Sequence, residues 1–364
     1  RLYFLIFKGG DMSYTVLNSA WSSTLLSDPE VAGLFSADAD LAAMLDFEAA
    51  LAEAEAEAGV FSTGLAQQII AACKEFRPDM GRLNAGISRD GMAVPDLIRQ
   101  LREAIDTEAS KYLHFGATSQ DVIDTSLTLR LQQVNQIFAP RLSNVCASLA
   151  HLDQRFGPRQ MMARTRMQSA LPILVSHRID RWRTPLLDLS DDFGQVQAAV
   201  QALQFGGPVG TLDQLGAKAP EVRRLLAERL GLLDPRTAWH TDRSRLLNYS
   251  FWLTKLATAL GKIGLDIMLM AQDERSEIAL AKSGGSSAMA HKKNPIKAEV
   301  LLALARFVST LHAGLQQCAL HEQERSGTNW TLEWMLLPQI CIAAGTALIT
   351  AQALLKSVDS LGER

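Results

Sequence analysis

The stretch LTLRLQQVNQIFAPRLSNVCASLAHLDQRF, residues 127–156, decides the fold. Its apolar positions are Leu127, Leu131, Val134, Phe138, Leu142, Val145, Leu149, Leu152 and Phe156. Steps of three and four alternate and average close to the helical 3.6. A second run has the same period: Leu171, Val175, Ile179, Trp182, Leu186, Leu189, Phe193, Val196, Val200 and Leu203. Shorter runs occupy residues 246–270, 300–320 and 332–354. The first two runs each cover about 30 residues, or about 45 Å as helix. Pro140 and Pro185 lie inside them, where each removes one amide donor and predicts a kink rather than an end. Five long helices in one region imply an all-α fold built on an elongated bundle.

Working outward from the bundle, residues 38–59 and 63–76 read as amphipathic helices. Residues 77–94 carry Pro78, Gly81, Gly86 and Gly91 and read as loop, and helix resumes over 95–107. The expected division is a small N-terminal helical domain, 12–110, then a central long-helix domain, 111–355. Residues 1–11 read as a leader foreign to the fold, with Met12 as the natural start.

The 364 residues carry 36 Lys plus Arg against 39 Asp plus Glu, a net charge of −3. Hydrophobic residues make up 48% and charged residues 21%, a globular balance with material for a large core. Near-neutral charge leaves no broad basic footprint, which argues against nucleic acid as the main partner. The four cysteines, Cys73, Cys146, Cys318 and Cys341, are far apart with no CxxC pair. That argues against a zinc ribbon or disulfide framework and points to a reduced cytoplasm. No run of 18 uninterrupted apolar residues occurs, so no membrane span is expected. Residues 340–355 are the most apolar late stretch, but Gly345, Thr346, Thr350 and Gln352 make them a buried helix.

Three polar segments interrupt the helical pattern. His114-Phe-Gly-Ala-Thr118-Ser119-Gln120-Asp121 precedes a long helix. Taken alone it is a helix cap, with free amides that attract anions. Arg164-Thr165-Arg166-Met167-Gln168 offers two guanidinium groups beside amide and hydroxyl donors. It suits a carboxylate as well as it suits a solvated basic turn. Residues 282–295, KSGGSSAMAHKKNP, combine a Gly-Gly-Ser-Ser run with lysines. Such a loop lets backbone amides approach a ligand closely, and a plain linker seldom carries Met289, His291, Lys292 and Asn294 in this order. No HExxH, P-loop or dinucleotide fingerprint is present, so no metal or nucleotide cofactor is expected. His291 reads as loop scaffold; His151, His177 and His312 fall on helices as structural or surface residues.

The third segment resembles the signature loop of the fumarase/aspartase superfamily, SSxMPxKxN. Ser286, Ser287, Met289, Lys292 and Asn294 stand at the matching places, and Ala290 replaces the family's Pro. The first segment resembles the superfamily's GxTSxD motif and the second its T-H-x-Q motif. Order, spacing and long-helix context agree over roughly residues 18–360. Within the superfamily, several stretches resemble bacterial 3-carboxy-cis,cis-muconate cycloisomerases. They are residues 114–125 (HFGATSQDVIDT), 205–211 (FGGPVGT), 239–241 (WHT), 321–326 (HEQERS) with Asn329-Trp330 and Glu333-Trp334, and 44–51 (MLDFEAAL).

The resemblance implies a small N-terminal domain, a central bundle and a small C-terminal domain. Here the chain stops soon after the bundle, so residues 356–364 are expected to be a remnant of that third domain. It implies a homotetramer with a 20-helix core, each site assembled from three subunits. The shared chemistry is proton transfer next to a carboxylate through an enediolate. Ser286 matches the general base, and Lys292 would stabilise its alkoxide. Thr118, Ser119, Gln120, Lys292 and Asn294 match substrate ligands, with Thr165, Arg166, Gln168, Ser287 and Met289 completing the three motifs. His114 is a further candidate, its alternative being a cap or core histidine, and Arg325 would pair with an additional carboxylate. Each positioned donor on the enediolate is worth ~3–4 kcal/mol on the scale of an oxyanion-hole contact.

Position 166 departs from the pattern. Amine-expelling relatives have His there, whereas Arg166 cannot act as an acid near neutral pH, its pKa exceeding about 12. A lactone-opening step releases a carboxylate with a pKa near ~4, which leaves without protonation. The residues therefore favour a cofactor-free cycloisomerase acting on a small polycarboxylate. The alternatives are another anionic substituted muconate, an adenylosuccinate-lyase-like amine lyase, and a non-catalytic helical oligomer.

Overall fold

The computed structural model describes Leu17 and residues 19–105, 107–281, 284–285, 289 and 292–363. The expected leader, Ser286 and Ser287 lie outside the described residues. The order of elements is α1 (Ser23–Leu26), α2 (Pro29–Gly33), α3 (Ala37–Glu57), α4 (Thr63–Glu75), α5 (Met80–Asp90), α6 (Val94–Ile105) and α7 (Ser119–Phe156). There follow β1 (Gln160–Thr165), β2 (Gln168–Leu174), α8 (Val175–Val200), α9 (Ala219–Leu230), α10 (Ser244–Met270), β3 (Ile278–Leu280), α11 (Ile296–Gln317), α12 (Gly327–Lys356) and β4 (Val358–Leu361). Short 3₁₀ turns occupy Glu108–Lys111 and Asp213–Lys218.

Helices α7, α8, α10, α11 and α12 form the bundle. The nine apolar positions of the 127–156 run are all buried and join one core cluster with α8, α10, α11 and α12. Burying such a side chain contributes roughly 1.5–3 kcal/mol, which is why a strict 3.6-residue stripe specifies the bundle so strongly. Pro140 and Pro185 do lie within continuous helices, as does Pro338 in α12. Helices α10 and α11 approach closely at Gly261 and Gly264. A Cβ at Gly264 would lie 2.5 Å from the Ala298 carbonyl oxygen, and one at Gly261 2.5 Å from the Ala305 Cβ. By length and composition α11 and α12 would suit membrane spans, with mean hydropathies of 1.4 and 1.6. In the fold they pack on α10 as bundle helices.

A second core cluster covers one end of the bundle. It joins Phe47 and Leu51 of α3, Ile69 of α4 and Leu97 and Leu101 of α6 to Val122 and Ile123 at the start of α7. Leu203, Phe205, Leu225, Leu226 and Trp330 complete it.

Two local expectations are corrected. Residues 80–90 form α5 rather than loop. Asp79 caps it by accepting from the Arg82 amide, and Gly91 ends it at φ 74°. Gly86, which argued against helix, permits packing on α6: a Cβ there would lie 2.7 Å from the Asp96 Cβ. The second apolar run is not helical throughout. Its first part is β2, paired antiparallel with β1, and Leu171 is 72% exposed. Thr165 pairs with Gln168 across a two-residue turn, Arg166 (φ 47°) and Met167 (φ 69°). Positive φ at both central positions is the primed turn whose twist matches a hairpin, but it lacks the Asn-Gly signature that would betray it. At the other end, Leu203 lies beyond α8 and its amide donates to the Leu233 carbonyl at 2.9 Å.

Candidate active site

The polar residues of the 114–121 segment gather at the N-terminal end of α7. Thr118 is its N-cap, Ser119 its first residue, and Gln120 is fully buried. Asp121, also fully buried, is an acceptor for four donors. These are the Thr118 amide (3.0 Å), the Gly206 amide (3.0 Å), the Gly207 amide (2.8 Å) and His240 Nε2 (2.8 Å). The FGGPVGT loop and the WHT segment are thereby tied to the start of α7.

One turn further along α7, Asp124 receives a bidentate pair from Arg243, 2.7 Å and 3.1 Å. The same guanidinium binds Glu333 of α12 at 2.9 Å and 2.5 Å, and Trp330 Nε1 donates to Asp124 at 3.0 Å. Arg243 is 2% exposed. Burial alone would lower its pKa, but Asp124 and Glu333 outweigh burial and raise it, so the guanidinium stays charged. His321 sits beside this cluster with neither ring nitrogen bonded to a described residue. Burial, then the Arg243 charge, lowers its pKa and keeps it neutral.

Gln120 links the cluster to the surface. Its Nε2 donates to the His240 carbonyl at 2.9 Å, and its Oε1 accepts from Arg325 Nε at 2.9 Å. Arg325 Nη2 also reaches the Thr118 hydroxyl (3.2 Å) and the Pro208 carbonyl (3.3 Å). All three acceptors are neutral, and Arg325 pairs with no carboxylate among the described residues. A half-buried guanidinium beside a helix N-terminus and lacking a counter-ion is a seat for an anion.

His114, at φ 60°, turns to Glu48 of α3, Nδ1 to Oε1 2.6 Å. Burial alone would lower its pKa, but the Glu48 carboxylate, with Asp121 behind it, raises it. Glu55 lies on the same face of α3, fully buried, with neither oxygen bonded to a described residue. Burial, then the Glu48 charge, pushes its pKa up to about 9.

The other two motifs lie at the opposite end of the bundle. Thr165, Arg166 and Gln168 are exposed around the tip of the β1–β2 hairpin. Arg164 anchors that hairpin by an ion pair with Glu277 at 2.8 Å, just ahead of β3. The signature loop is closed at its base by Gly284 and Asn294, whose backbones exchange hydrogen bonds of 2.8 Å and 2.9 Å. Lys292 is exposed, its amide bound to the Met289 carbonyl at 3.1 Å. Asn294 Nδ2 donates to the Gly285 carbonyl at 3.5 Å. One end thus holds His114, Thr118, Ser119, Gln120 and Arg325. The other holds Thr165, Arg166, Gln168, Met289, Lys292 and Asn294.

Asp121, Asp124, His240, Arg243, Glu333 and Glu48 were not expected site residues, although most lie in or beside the quoted motifs. The signal was available for Asp121 and Asp124. Their i, i+3 spacing puts two acids on one face of a helix whose neighbouring positions are apolar. Arg243 had no such signal, since only the tertiary fold buries it.

Comparison with known proteins identifies the family. A family model described as "Lyase" matches residues 26–309. The chain is 35% identical to the 3-carboxy-cis,cis-muconate cycloisomerase of Pseudomonas aeruginosa, over 97% of this chain and 78% of the relative. The enzyme of that name from Pseudomonas putida is 36% identical over 91% of this chain and 80% of its own length. The crystal structure of the 3-carboxy-cis,cis-muconate lactonizing enzyme from Pseudomonas putida superposes with a TM-score of 0.88 at 34% identity. That alignment covers 94% of this chain and 77% of that one. The family match, the identity along nearly the whole chain and the shared helical bundle place this chain in the lyase family of the fumarase/aspartase superfamily.

Proposed function

We propose that the protein is a cycloisomerase that closes 3-carboxy-cis,cis-muconate to 4-carboxymuconolactone without a cofactor, a step of protocatechuate breakdown. A substrate carboxylate adds across the substrate's own double bond, an enediolate forms, and the neighbouring carbon takes a proton. The observation that carries this reading is Arg325. It is held by Gln120 and Thr118 at the N-terminus of α7 and has no carboxylate partner among the described residues. A polycarboxylate supplies that partner. Arg166 at the hairpin tip fits the same reading, because it can bind an anion but cannot protonate a leaving amine.

In this reading Ser286 transfers the proton at carbon, with Lys292 and the loop amides stabilising its alkoxide. Thr118, Ser119, Gln120, Asn294 and Arg325 bind carboxylates, with His114, Thr165, Arg166, Gln168, Ser287 and Met289 around them. The three motif regions come from three subunits of a homotetramer in the cytoplasm. Helix α7 alone is about 57 Å long for its 38 residues, so one chain cannot bring its two ends to one substrate.

The test is an ultraviolet assay of the purified protein with 3-carboxy-cis,cis-muconate, following loss of the conjugated diene without added metal or nucleotide. Rapid loss is expected, and Ser286→Ala is expected to abolish it while leaving the helical fold intact. A folded tetramer inert on this substrate overturns the assignment, and near-wild-type turnover by Ser286→Ala removes the serine from its role.

A further inference from the structure

The reaction proposed above consumes a proton. The substrate has three carboxylates; ring closure turns one into an ester and adds one hydrogen to carbon. Each turnover therefore takes a trianion and one proton to a dianion, and the proton must enter the site from a group that water can recharge.

His240 has the geometry for this. It is 5% exposed, yet it lines a cavity of about 610 Å³ together with Thr211, Thr241 and Gln323. Its Nε2 faces Asp121 at 2.8 Å. That carboxylate already accepts from the backbone amides of Thr118, Gly206 and Gly207, so it is held by the chain itself. A carboxylate can only accept, so Nε2 carries the proton and the tautomer is fixed. Nδ1 is then the open position of the ring, and no hydrogen bond from a described residue occupies it. The main chain that carries His240 is also tied to the anion seat, because the Gln120 side chain joins the His240 carbonyl to Arg325.

The charged groups around the ring are few. Asp121 approaches it from α7; Arg223 of α9, Arg236 and Glu324 line the same cavity; Asp242 and Arg243 follow in the chain. Arg223 is engaged by Asp234 at 2.7 Å, and Arg243 by Asp124 and Glu333. His321 does not compete for the role, since both its ring nitrogens are sealed from solvent.

We propose that His240, positioned by Asp121, is the proton-transfer residue that supplies the proton consumed in ring closure. Over the turnover the Nδ1–H bond breaks, and its proton replaces the one that the serine O–H of the proposed reaction gives to the enediolate carbon. The imidazole is left neutral and is recharged by water through the cavity. Asp121 acts as the positioning residue, holding the ring by Nε2. This rests on the cycloisomerase reading, which wild-type turnover of carboxymuconate establishes first; an inert wild type fails that reading, whereas the variants below fail only the assignment of His240.

The experiment measures kcat and KM against pH for wild type, His240→Gln and His240→Ala, with lactone affinity measured by calorimetry. Wild-type kcat is expected to fall with a one-proton slope on the alkaline side, as for a reaction that takes up one proton through a general acid. His240→Gln should lose about 100-fold in kcat and lose that limb, with lactone binding unchanged, the scale of general acid catalysis. Added imidazole should restore His240→Ala in proportion to its protonated fraction, which a packing defect would not show. The assignment is overturned if His240→Gln keeps kcat within about threefold or keeps the alkaline limb. It is equally overturned if His240→Ala binds lactone normally and imidazole fails to rescue it.

Discussion

Glu55 makes a prediction whose sign and size follow from its surroundings. It is fully buried, neither oxygen is bonded to a described residue, and Glu48 lies two turns away on the same helix face. Burial first, and the Glu48 charge second, push its pKa from an ordinary 4.5 up to about 9. Between those values the folded protein keeps a proton that the unfolded chain releases. Stability must then fall as pH rises, by about 1.36 kcal/mol per pH unit, until the folded group also ionises. From pH 5 to pH 8 the loss attributable to this one residue is about 4 kcal/mol. Glu55→Gln removes the titration while keeping the size and the lack of partners, so its amide is no better satisfied than the neutral acid. Urea unfolding of both proteins at equal protein concentration reads the difference, so that any self-association weighs equally on the two midpoints. The two should be nearly equal near pH 5, and the variant should gain steadily toward pH 8. Parallel stability curves across that range would show that Glu55 ionises normally and that the account of its burial is wrong.

Three further outcomes are expected. Arg243→Met leaves Asp124 and Glu333 buried without their shared cation, and should cost about 3–5 kcal/mol in denaturant unfolding. Arg325→Gln removes the unpaired charge at the anion seat; KM for the tricarboxylate should rise about 10- to 150-fold, the equivalent of a charged hydrogen bond of about 1.5–3 kcal/mol, with kcat less affected. Arg166→His should weaken substrate binding more than it creates amine-lyase activity, checked by assaying carboxymuconate and adenylosuccinate with the same preparation.

The bundle was legible because burial and periodicity agree along it. Every apolar step from Leu127 to Phe156 marks a buried side chain, and the proline at 140 sits inside the helix as its spacing required. The hairpin was not legible, because its turn is made by Arg166 and Met167, residues with no intrinsic preference for positive φ, and because Leu171 happens to continue the helical spacing of α8. Helix α5 was hidden by its glycines, one of which serves a close contact with Asp96 on α6. At the candidate site, the motifs supplied the side chains proposed to face a ligand. The residues that hold them were silent: Arg243 lies 119 positions from Asp124 and 90 from Glu333, and a contact at that separation has no local signature.

The distribution of charge between the two ends of the bundle ties these observations together. At the start of α7 the acids are committed: Asp121 to three amides and His240, Asp124 to Arg243 and Trp330, Glu48 to His114. Arg325 has no carboxylate partner there among the described residues, so that end has anion affinity and an imidazole, while the signature loop of the same chain lies at the other end. At the far end the exposed side chains of Arg166 and Lys292 have the same preference for anions. In the proposed tetramer these ends meet as two half-sites of like charge, which do not attract each other. They become compatible only when a polyanion lies between them, because each carboxylate it offers neutralises a cation that the protein leaves open. A substrate with three carboxylates meets that condition better than one with two. On this argument the electrostatics that select a tricarboxylate also strengthen the junction between the copies that hold it, so saturating lactone should raise the stability of the assembled protein and not merely occupy it.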